Sequence, residues 1–149
     1  MDAIDRKILK VLQADGRASL ADIGQKAGLS SSPCWERIKK MEQSGVIEGY
    51  TVRLSAPALG LLDTVLVQVT LDSHSDNTLE KFGEVLATIP EVIEAYLVSG
   101  EYDYLLRVAV KDTRDYERLL REKLYKIKGI RHSQSSFVLR TLKKADLPI

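Results

Sequence analysis

The pattern of hydrophobic and polar positions changes its period after about the first third of the chain. In this first part, apolar residues recur at intervals of three and four, as they do on one face of an α-helix. The intervals predict helices at 4–13 and 19–27 and a third helix that follows Ser30 and ends at Gly45. A short β-ribbon is predicted at 46–54. Elements in this order are typical of a winged helix-turn-helix.

The remainder of the chain alternates between strand and helix patterns. Short runs rich in β-branched residues indicate strands, and apolar residues at helical intervals indicate helices between them. The predicted elements are a strand at 64–71, a helix at 76–89, strands at 92–98 and 104–110, a helix at 116–128 and a strand at 130–142. This β-α-β-β-α-β order predicts a ferredoxin-like sandwich, an antiparallel sheet with both helices on one face.

The two patterns predict two domains of overall α+β class. We assign 1–54 to the winged helix-turn-helix, 55–63 to a linker and 64–149 to the ferredoxin-like domain. The linker contains the run Ser-Ala-Pro-Ala-Leu-Gly, whose composition is typical of a connecting segment.

Composition restricts the classes of function. The chain has 149 residues and a formal net charge of +1, so any contact with DNA must come from a local basic patch. A single cysteine excludes an internal disulfide framework and a cysteine-rich metal or iron–sulfur site. His74 and His132 lack the spacing of metal ligands and are expected at the surface. We therefore expect neither a metal nor a cofactor.

Membrane and catalytic signals are also missing from the sequence. No apolar run approaches the ~20 residues that cross a bilayer, and the N-terminus lacks the apolar core of a signal peptide. A cytoplasmic protein without a membrane partner is expected. The sequence contains no nucleophile–base pairing and no phosphate-binding loop, so a catalytic ferredoxin-like domain fused to a helical bundle has no support.

The third predicted helix has the features of a DNA-recognition helix. Such a helix presents its N-terminal turns to base edges in the major groove, while nearby Lys and Arg side chains neutralise phosphates. The residues expected at the groove are Ser31, Ser32, Pro33, Trp35, Glu36 and Lys39. Those expected at the phosphate backbone are Arg37, Lys40 and Arg53. Trp35 is either a groove contact or a filler of a core or interface, and Lys40 is either a contact or a solvated charge.

Four segments resemble the Lrp/AsnC family, the feast/famine regulators of bacteria and archaea. They are residues 4–17, 28–50, 98–106 (VSGEYDYLL) and 129–137. The resemblance implies a transcription regulator that binds double-stranded DNA, senses an amino acid with its second domain and assembles as dimers and rings such as octamers. The Pro-Cys-Trp triplet in the third helix and the C-terminal Asp-Leu-Pro-Ile are similar to the cysteine-responsive branch of the family.

The turn between the second and third predicted strands is the candidate effector site. Its glycine permits backbone N–H groups to turn toward an anion such as an α-carboxylate, and Asp103 can accept an ammonium group. The candidate residues are Ser99, Gly100, Glu101, Tyr102 and Asp103 in the turn, and Ser133, Gln134, Ser135 and Ser136 on the last strand. Taken alone, these residues favour an ordinary hairpin in which Asp103 satisfies its own turn, whereas the family resemblance favours the amino acid site.

A homodimer is expected from the first predicted strand. Val65, Val67 and Val69 alternate on one face, with Leu66 on the other, and an apolar strand face that is exposed is usually buried against a partner. A helix-turn-helix also benefits from two-fold symmetry, because two half-sites can then be read.

A small or sulfur-containing amino acid such as cysteine is the expected effector, followed by leucine-like effectors. The alternative function is that of an architectural protein that coats DNA without a ligand. Binding to random DNA at varied salt, with and without amino acids, distinguishes the two.

Overall fold

The computed structural model forms two compact units. It describes residues 1–73 and 76–149. The first unit contains Met1–Arg53 together with Lys143–Ile149, and the second contains Leu54–Leu142. The C-terminal segment, which the sequence analysis assigned to the ferredoxin-like domain, therefore packs with the helical unit.

The first unit consists of three helices, α1 (Ala3–Ala14), α2 (Leu20–Ala27) and α3 (Ser31–Gln43). A reciprocal cap begins α1, since the Asp2 carboxylate accepts the Asp5 N–H and the Asp5 carboxylate accepts the Asp2 N–H. The inward faces of the three helices form one hydrophobic cluster. Its buried members are Ile8, Leu9, Ile23, Ala27, Cys34, Ile38 and Met41. This arrangement is the helix-turn-helix that the apolar spacing predicts.

Gly24 lies at a close backbone approach within α2. A Cβ atom at this position would lie 2.6 Å from the carbonyl oxygen of Leu29, which is too close for any side chain. The neighbour is the turn that leads into α3. The glycine therefore allows α2 to pack tightly against the entry to the next helix.

The β-ribbon predicted at 46–54 does not form. The Ile47 N–H donates to the Met41 carbonyl at 3.1 Å, and the Tyr50 hydroxyl donates to Glu42 at 3.0 Å, which fixes the start of the segment to the end of α3. A ribbon needs a second strand to pair with its backbone groups. The described residues of this unit contain no such strand.

The second unit is an antiparallel sheet with two helices. Its elements are β1 (Asp63–Leu71), α4 (Asp76–Ala87), β2 (Val92–Leu97), β3 (Tyr104–Val110), α5 (Thr113–Glu122) and β4 (Ile130–Phe137). The strand order is β2-β3-β1-β4, which confirms the predicted β-α-β-β-α-β topology. The helix predicted at 116–128 is shorter than expected, because α5 is followed by a separate 3-10 turn, Leu124–Lys126.

Strand β1 alternates strictly between the two faces of the sheet. Val65, Val67, Val69 and Leu71 are buried in one cluster with side chains of α4 and α5. Burial of such a side chain contributes roughly 1.5–3 kcal/mol relative to exposure. The expectation that the valine face is exposed for a partner is therefore wrong. The helices of the same chain cover it, and the opposite face, which carries Leu66, is the open one.

None of the helices in the described ranges is long and apolar enough to span a bilayer.

Candidate DNA-binding surface and effector site

Helix α3 buries one face and exposes the other. Cys34, Ile38 and Met41 point into the core, and burial raises the pKa of the Cys34 thiol, as expected of a structural cysteine. The opposite face carries the residues predicted at the DNA groove. Ser31, Ser32, Trp35, Glu36 and Lys39 are exposed, and Pro33 is half-buried in the first turn. These side chains lie together on one accessible helix surface.

Trp35 belongs to the exposed surface of the helical unit. Its side chain is 49% exposed, which excludes the alternative of a core filler. With Lys39, Glu42 and Tyr50 it lines a shallow cavity of about 350 Å³. Lys39 Nζ lies 2.7 Å from a Glu42 oxygen, and this ion pair, with the Tyr50 hydroxyl next, lowers the pKa of Glu42. Tyr50, which the residue pattern did not indicate, joins this surface from the segment after α3.

Arg37 has a different partner from the one predicted. Its Nη1 lies 2.7 Å from an oxygen of Asp2 and 2.7 Å from an oxygen of Asp5, so the guanidinium joins α3 to the N-terminus of α1. The Asp5 N–H and then Arg37 lower the pKa of the Asp2 carboxyl to about 2. The same two carboxylates raise the pKa of Arg37. In the structure Arg37 therefore holds α3 to the start of α1, and its contact with the DNA backbone stays a prediction.

The other two predicted phosphate contacts are accessible. Lys40 is exposed on α3 and forms no ion pair with any residue in the described ranges. Arg53 lies 3.9 Å from Asp146, and both side chains are mostly exposed, so the pair is weak. Lys40 is thus the cation of α3 that is best placed to meet a phosphate.

The candidate effector turn is held to the end of β1 by Asp103. Its N–H donates to the Val69 carbonyl at 2.9 Å, and its Oδ2 accepts the Leu71 N–H at 2.7 Å. Within the turn Gly100 has a φ of +139°, a conformation that favours glycine. Asp103 therefore does more than satisfy its own turn, because one carboxylate oxygen anchors the neighbouring strand. Ser99, Glu101 and Tyr102 complete the turn around this anchor.

The four candidate residues of β4 do not share a face. Ser133 and Ser135 pair with Val69 and Val67, whose side chains lie beneath the helices, and the Ser135 hydroxyl hydrogen-bonds the hydroxyl of Tyr116. Gln134 and Ser136 pair with Gln68 and Leu66 and lie on the open face. The four residues therefore do not all face one side of the sheet, and their part in binding an effector stays a prediction. Ser133 lies at the same end of the sheet as Asp103, because Ser133 of β4 and the start of β3, which follows Asp103, both pair with Val69 near the end of β1.

A cavity that the sequence analysis missed opens beside the end of β1. It measures about 700 Å³, and its lining includes Phe82 and Ile127. Lysines at positions 81, 123, 126 and 128 also line it. Phe82 packs on Tyr104 at the start of β3, with ring centroids 4.8 Å apart, so the cavity and the candidate turn occupy the same end of the sheet. In the sequence, the close spacing of the last three lysines is the signal that could have indicated this cavity.

The structure describes one of the two histidines. His132 is exposed, as expected, and His74 lies outside the described residues. Within the described ranges, no group of three or more His, Cys, Asp or Glu side chains is arranged to hold a metal ion.

Both units match sequence models of known domain families. Residues 1–42 match the AsnC-type helix-turn-helix domain, and residues 64–148 match the Lrp/AsnC ligand binding domain. The chain belongs to the Lrp/AsnC family. As a member of the Lrp/AsnC family it is a transcription regulator with a helix-turn-helix DNA-binding domain and a ligand-binding domain.

The similarity extends over nearly the whole chain. The leucine-responsive regulatory protein of Escherichia coli is 36% identical over 146 residues, which cover 98% of this chain and 89% of that protein. An AsnC family transcriptional regulator from Agrobacterium tumefaciens has a TM-score of 0.94 at 42% identity, covering 99% of this chain and 97% of that one. A transcriptional regulator from Neisseria meningitidis, in complex with L-Met, has a TM-score of 0.94 at 32% identity, covering 99% and 96%. These Lrp/AsnC relatives are regulators.

The ion pairs at the start of α1 predict a pH dependence of stability. Because the pKa of Asp2 falls from 3.8 to about 2 on folding, its charge stabilises the chain fully above the unfolded value. That stabilisation is lost as the pH falls through the folded value. Asp2→Asn keeps an oxygen that can cap the helix but removes the charge. We expect the variant to melt below the wild type at neutral pH and the difference to shrink between about pH 4 and pH 2.

Thermal unfolding of both proteins across that range measures the difference. A deficit of the Asp2→Asn variant that stays constant with pH would contradict the electrostatic origin of this stabilisation.

Proposed function

We propose that the chain is a sequence-specific transcription regulator whose α3 enters the major groove of operator DNA and whose DNA binding or assembly responds to a free amino acid. The DNA-binding part of this proposal rests on the division of α3 into a buried face and an exposed face. Three buried side chains fix its orientation in the core, and the opposite face presents Trp35 and several polar side chains to solvent. A helix held in this way can offer base contacts without rearrangement of the domain.

We propose that the phosphate contacts come from cations that have no ion-pair partner among the described residues, or only a weak one. Lys40 meets this condition, whereas Lys39 must leave Glu42 and Arg37 must leave two aspartates. Breaking such pairs offsets part of the gain from a phosphate contact. We therefore assign the main backbone contact on α3 to Lys40, and a supporting contact to Arg53.

Replacing Lys40 by alanine should reduce the slope of log K against log salt by about one unit, as expected for one lost phosphate contact. Lys111→Ala, which removes an exposed lysine that follows β3, is the matched control and should leave the slope unchanged. Arg37→Ala should lower the melting temperature and leave the slope nearly unchanged. Fluorescence anisotropy with an operator duplex at several salt concentrations gives the slopes. An unchanged slope in Lys40→Ala would remove this residue from the interface.

The effector half of the proposal is supported by solved relatives. The regulator from Neisseria meningitidis was crystallised with L-Met, and a feast or famine regulatory protein from Mycobacterium tuberculosis with L-methionine. A free α-amino acid carries one carboxylate and one ammonium. We propose that backbone N–H groups of the turn at 99–102 meet the carboxylate and that Asp103 meets the ammonium, with Ser133 at the same end of the sheet. For the side chain we propose a small or sulfur-containing group, as in cysteine.

Asp103→Asn tests the ammonium contact without removing the strand anchor. The amide oxygen can still accept the Leu71 N–H, so the fold should be kept while the charge is lost. We expect calorimetric titration with cysteine, methionine, leucine and asparagine to identify one binder, whose affinity falls at least tenfold in the variant. Glu84→Gln, an exposed carboxylate on α4, is the control and should bind as the wild type does.

Undiminished binding by Asp103→Asn would remove this residue from the site. If none of the four amino acids binds the wild type, the alternative of a ligand-independent architectural protein gains support.

We also propose a homodimer, built through the open face of the sheet, as the unit of higher rings such as octamers. The face that carries Leu66, Leu105 and Arg107 is only partly buried in the single chain, and Arg107 is neutralised there by Glu94 at 2.7 Å. Covering the leucines is favourable, and the pairing of Arg107 with Glu94 avoids an unpaired charge in the interface, although burial of the pair itself costs desolvation. A two-fold pair of helix-turn-helix units would then read two half-sites.

A further inference from the structure

The last seven residues return to the DNA-binding unit. Residues 138–149 contain no helix or strand, yet Lys143–Ile149 belongs to the first compact unit. Ile149 packs against the hydrophobic cluster of the three helices and is half-buried. The side-chain amide of Gln13 donates to the Leu147 carbonyl at 3.1 Å, and Asp146 lies 3.9 Å from Arg53. We name residues 143–149 the C-terminal strap.

These contacts hold the strap against a substantial entropic cost. A terminal segment without secondary structure remains poorly ordered unless side chains or hydrogen bonds tie it down. Among the described residues, the strap is held by the Ile149 side chain, by the hydrogen bond from Gln13 to Leu147 and by the long, exposed ion pair of Arg53 with Asp146. Because these contacts are few, we expect the free energy of docking to be small. A modest perturbation can therefore shift the balance.

The strap is joined to the candidate effector strand through a short stretch of chain. Residues 138–142 separate the strap from the end of β4, which carries the candidate residues 133–136. At its other end the strap contacts α1 through Gln13. α1 also carries Asp2 and Asp5, which hold Arg37 of α3. A continuous route of covalent bonds and direct contacts thus leads from β4 to the helix proposed to read DNA.

We propose that the C-terminal strap is a docking segment that transmits the state of β4 to the DNA-binding helices. Docking orders α1, and α1 positions α3 through Arg37. A ligand that shifts or rigidifies β4 changes how readily the strap docks, and so changes the fraction of molecules whose recognition helix is held for DNA. The docking of the strap is independent of the proposed function. The transmission of a ligand signal to the DNA-binding helices rests on the proposed function.

Ile149→Asp tests the docking, because a charge cannot enter the hydrophobic cluster without a partner. Leu147→Ala is the matched control, since the Leu147 side chain is 80% exposed and the contact is made by its carbonyl oxygen. Amide hydrogen exchange in α1 of the full chain should become at least tenfold faster in Ile149→Asp and stay unchanged in Leu147→Ala. Equal exchange rates in all three proteins would overturn the docking.

A second measurement, by calorimetric titration, tests the transmission. Because docking and ligand binding are coupled reciprocally, the amino acid affinity in the absence of DNA should differ between wild type and Ile149→Asp and stay unchanged in Leu147→Ala. The change in operator affinity that the amino acid produces should fall at least fivefold in Ile149→Asp and stay unchanged in Leu147→Ala. An undiminished change would overturn the transmission. If the wild type binds neither operator nor amino acid, the proposed function fails and the transmission with it, while hydrogen exchange still decides whether the strap docks.

Discussion

Strand β1 occupies the centre of the second unit, where it must pair with β3 on one side and β4 on the other while burying one of its faces. Its inward residues Val65, Val67 and Val69 are buried beneath α4 and α5. A shift of one residue in register would turn these valines to the open face, so the register is strongly specified. That register decides which side of the sheet each residue of β3 and β4 occupies. The anchoring of Asp103, the separation of Ser133 from Gln134 and the open face proposed for dimerisation are all consequences of it.

In the helical unit, burial of one face likewise decides which residues point outward, but with the period of a helix. Cys34, Ile38 and Met41 fix the rotation of α3 about its axis, and the outward face is then determined by geometry. The position of α3 relative to α1 depends on a further contact, the pair of ionic hydrogen bonds from Arg37 to Asp2 and Asp5. Charges on a recognition helix therefore divide into those that hold the helix and those that remain available to a partner. This distinction matters for mutagenesis, because loss of either kind weakens DNA binding for a different reason.

The sequence predicted the order of elements well, since burial imposes a period of 3.6 on helices and of 2 on strands. It did not predict the partner of Arg37, because Asp2 and Asp5 are brought to it only by the packing of α1 on α3. The prediction of a β-ribbon at 46–54 was wrong, because an apolar pattern leads to a strand only if another strand is present to pair with it. The division of the β4 residues between two faces follows from the strand period and could have been predicted. The docking of Ile149 could not, because a single aliphatic residue at a chain end carries no pattern.

We propose that amino acid binding by the second unit and DNA binding by the first unit are energetically coupled. Linkage is reciprocal: if the amino acid changes operator affinity by some factor, the operator must change amino acid affinity by the same factor. The direct measurement is a complete cycle, with operator affinity determined with and without the amino acid and amino acid affinity with and without the operator. We predict equal factors in the two directions, of about 5 to 150. Factors of one in both directions would contradict the account, since the two units would then bind their ligands independently.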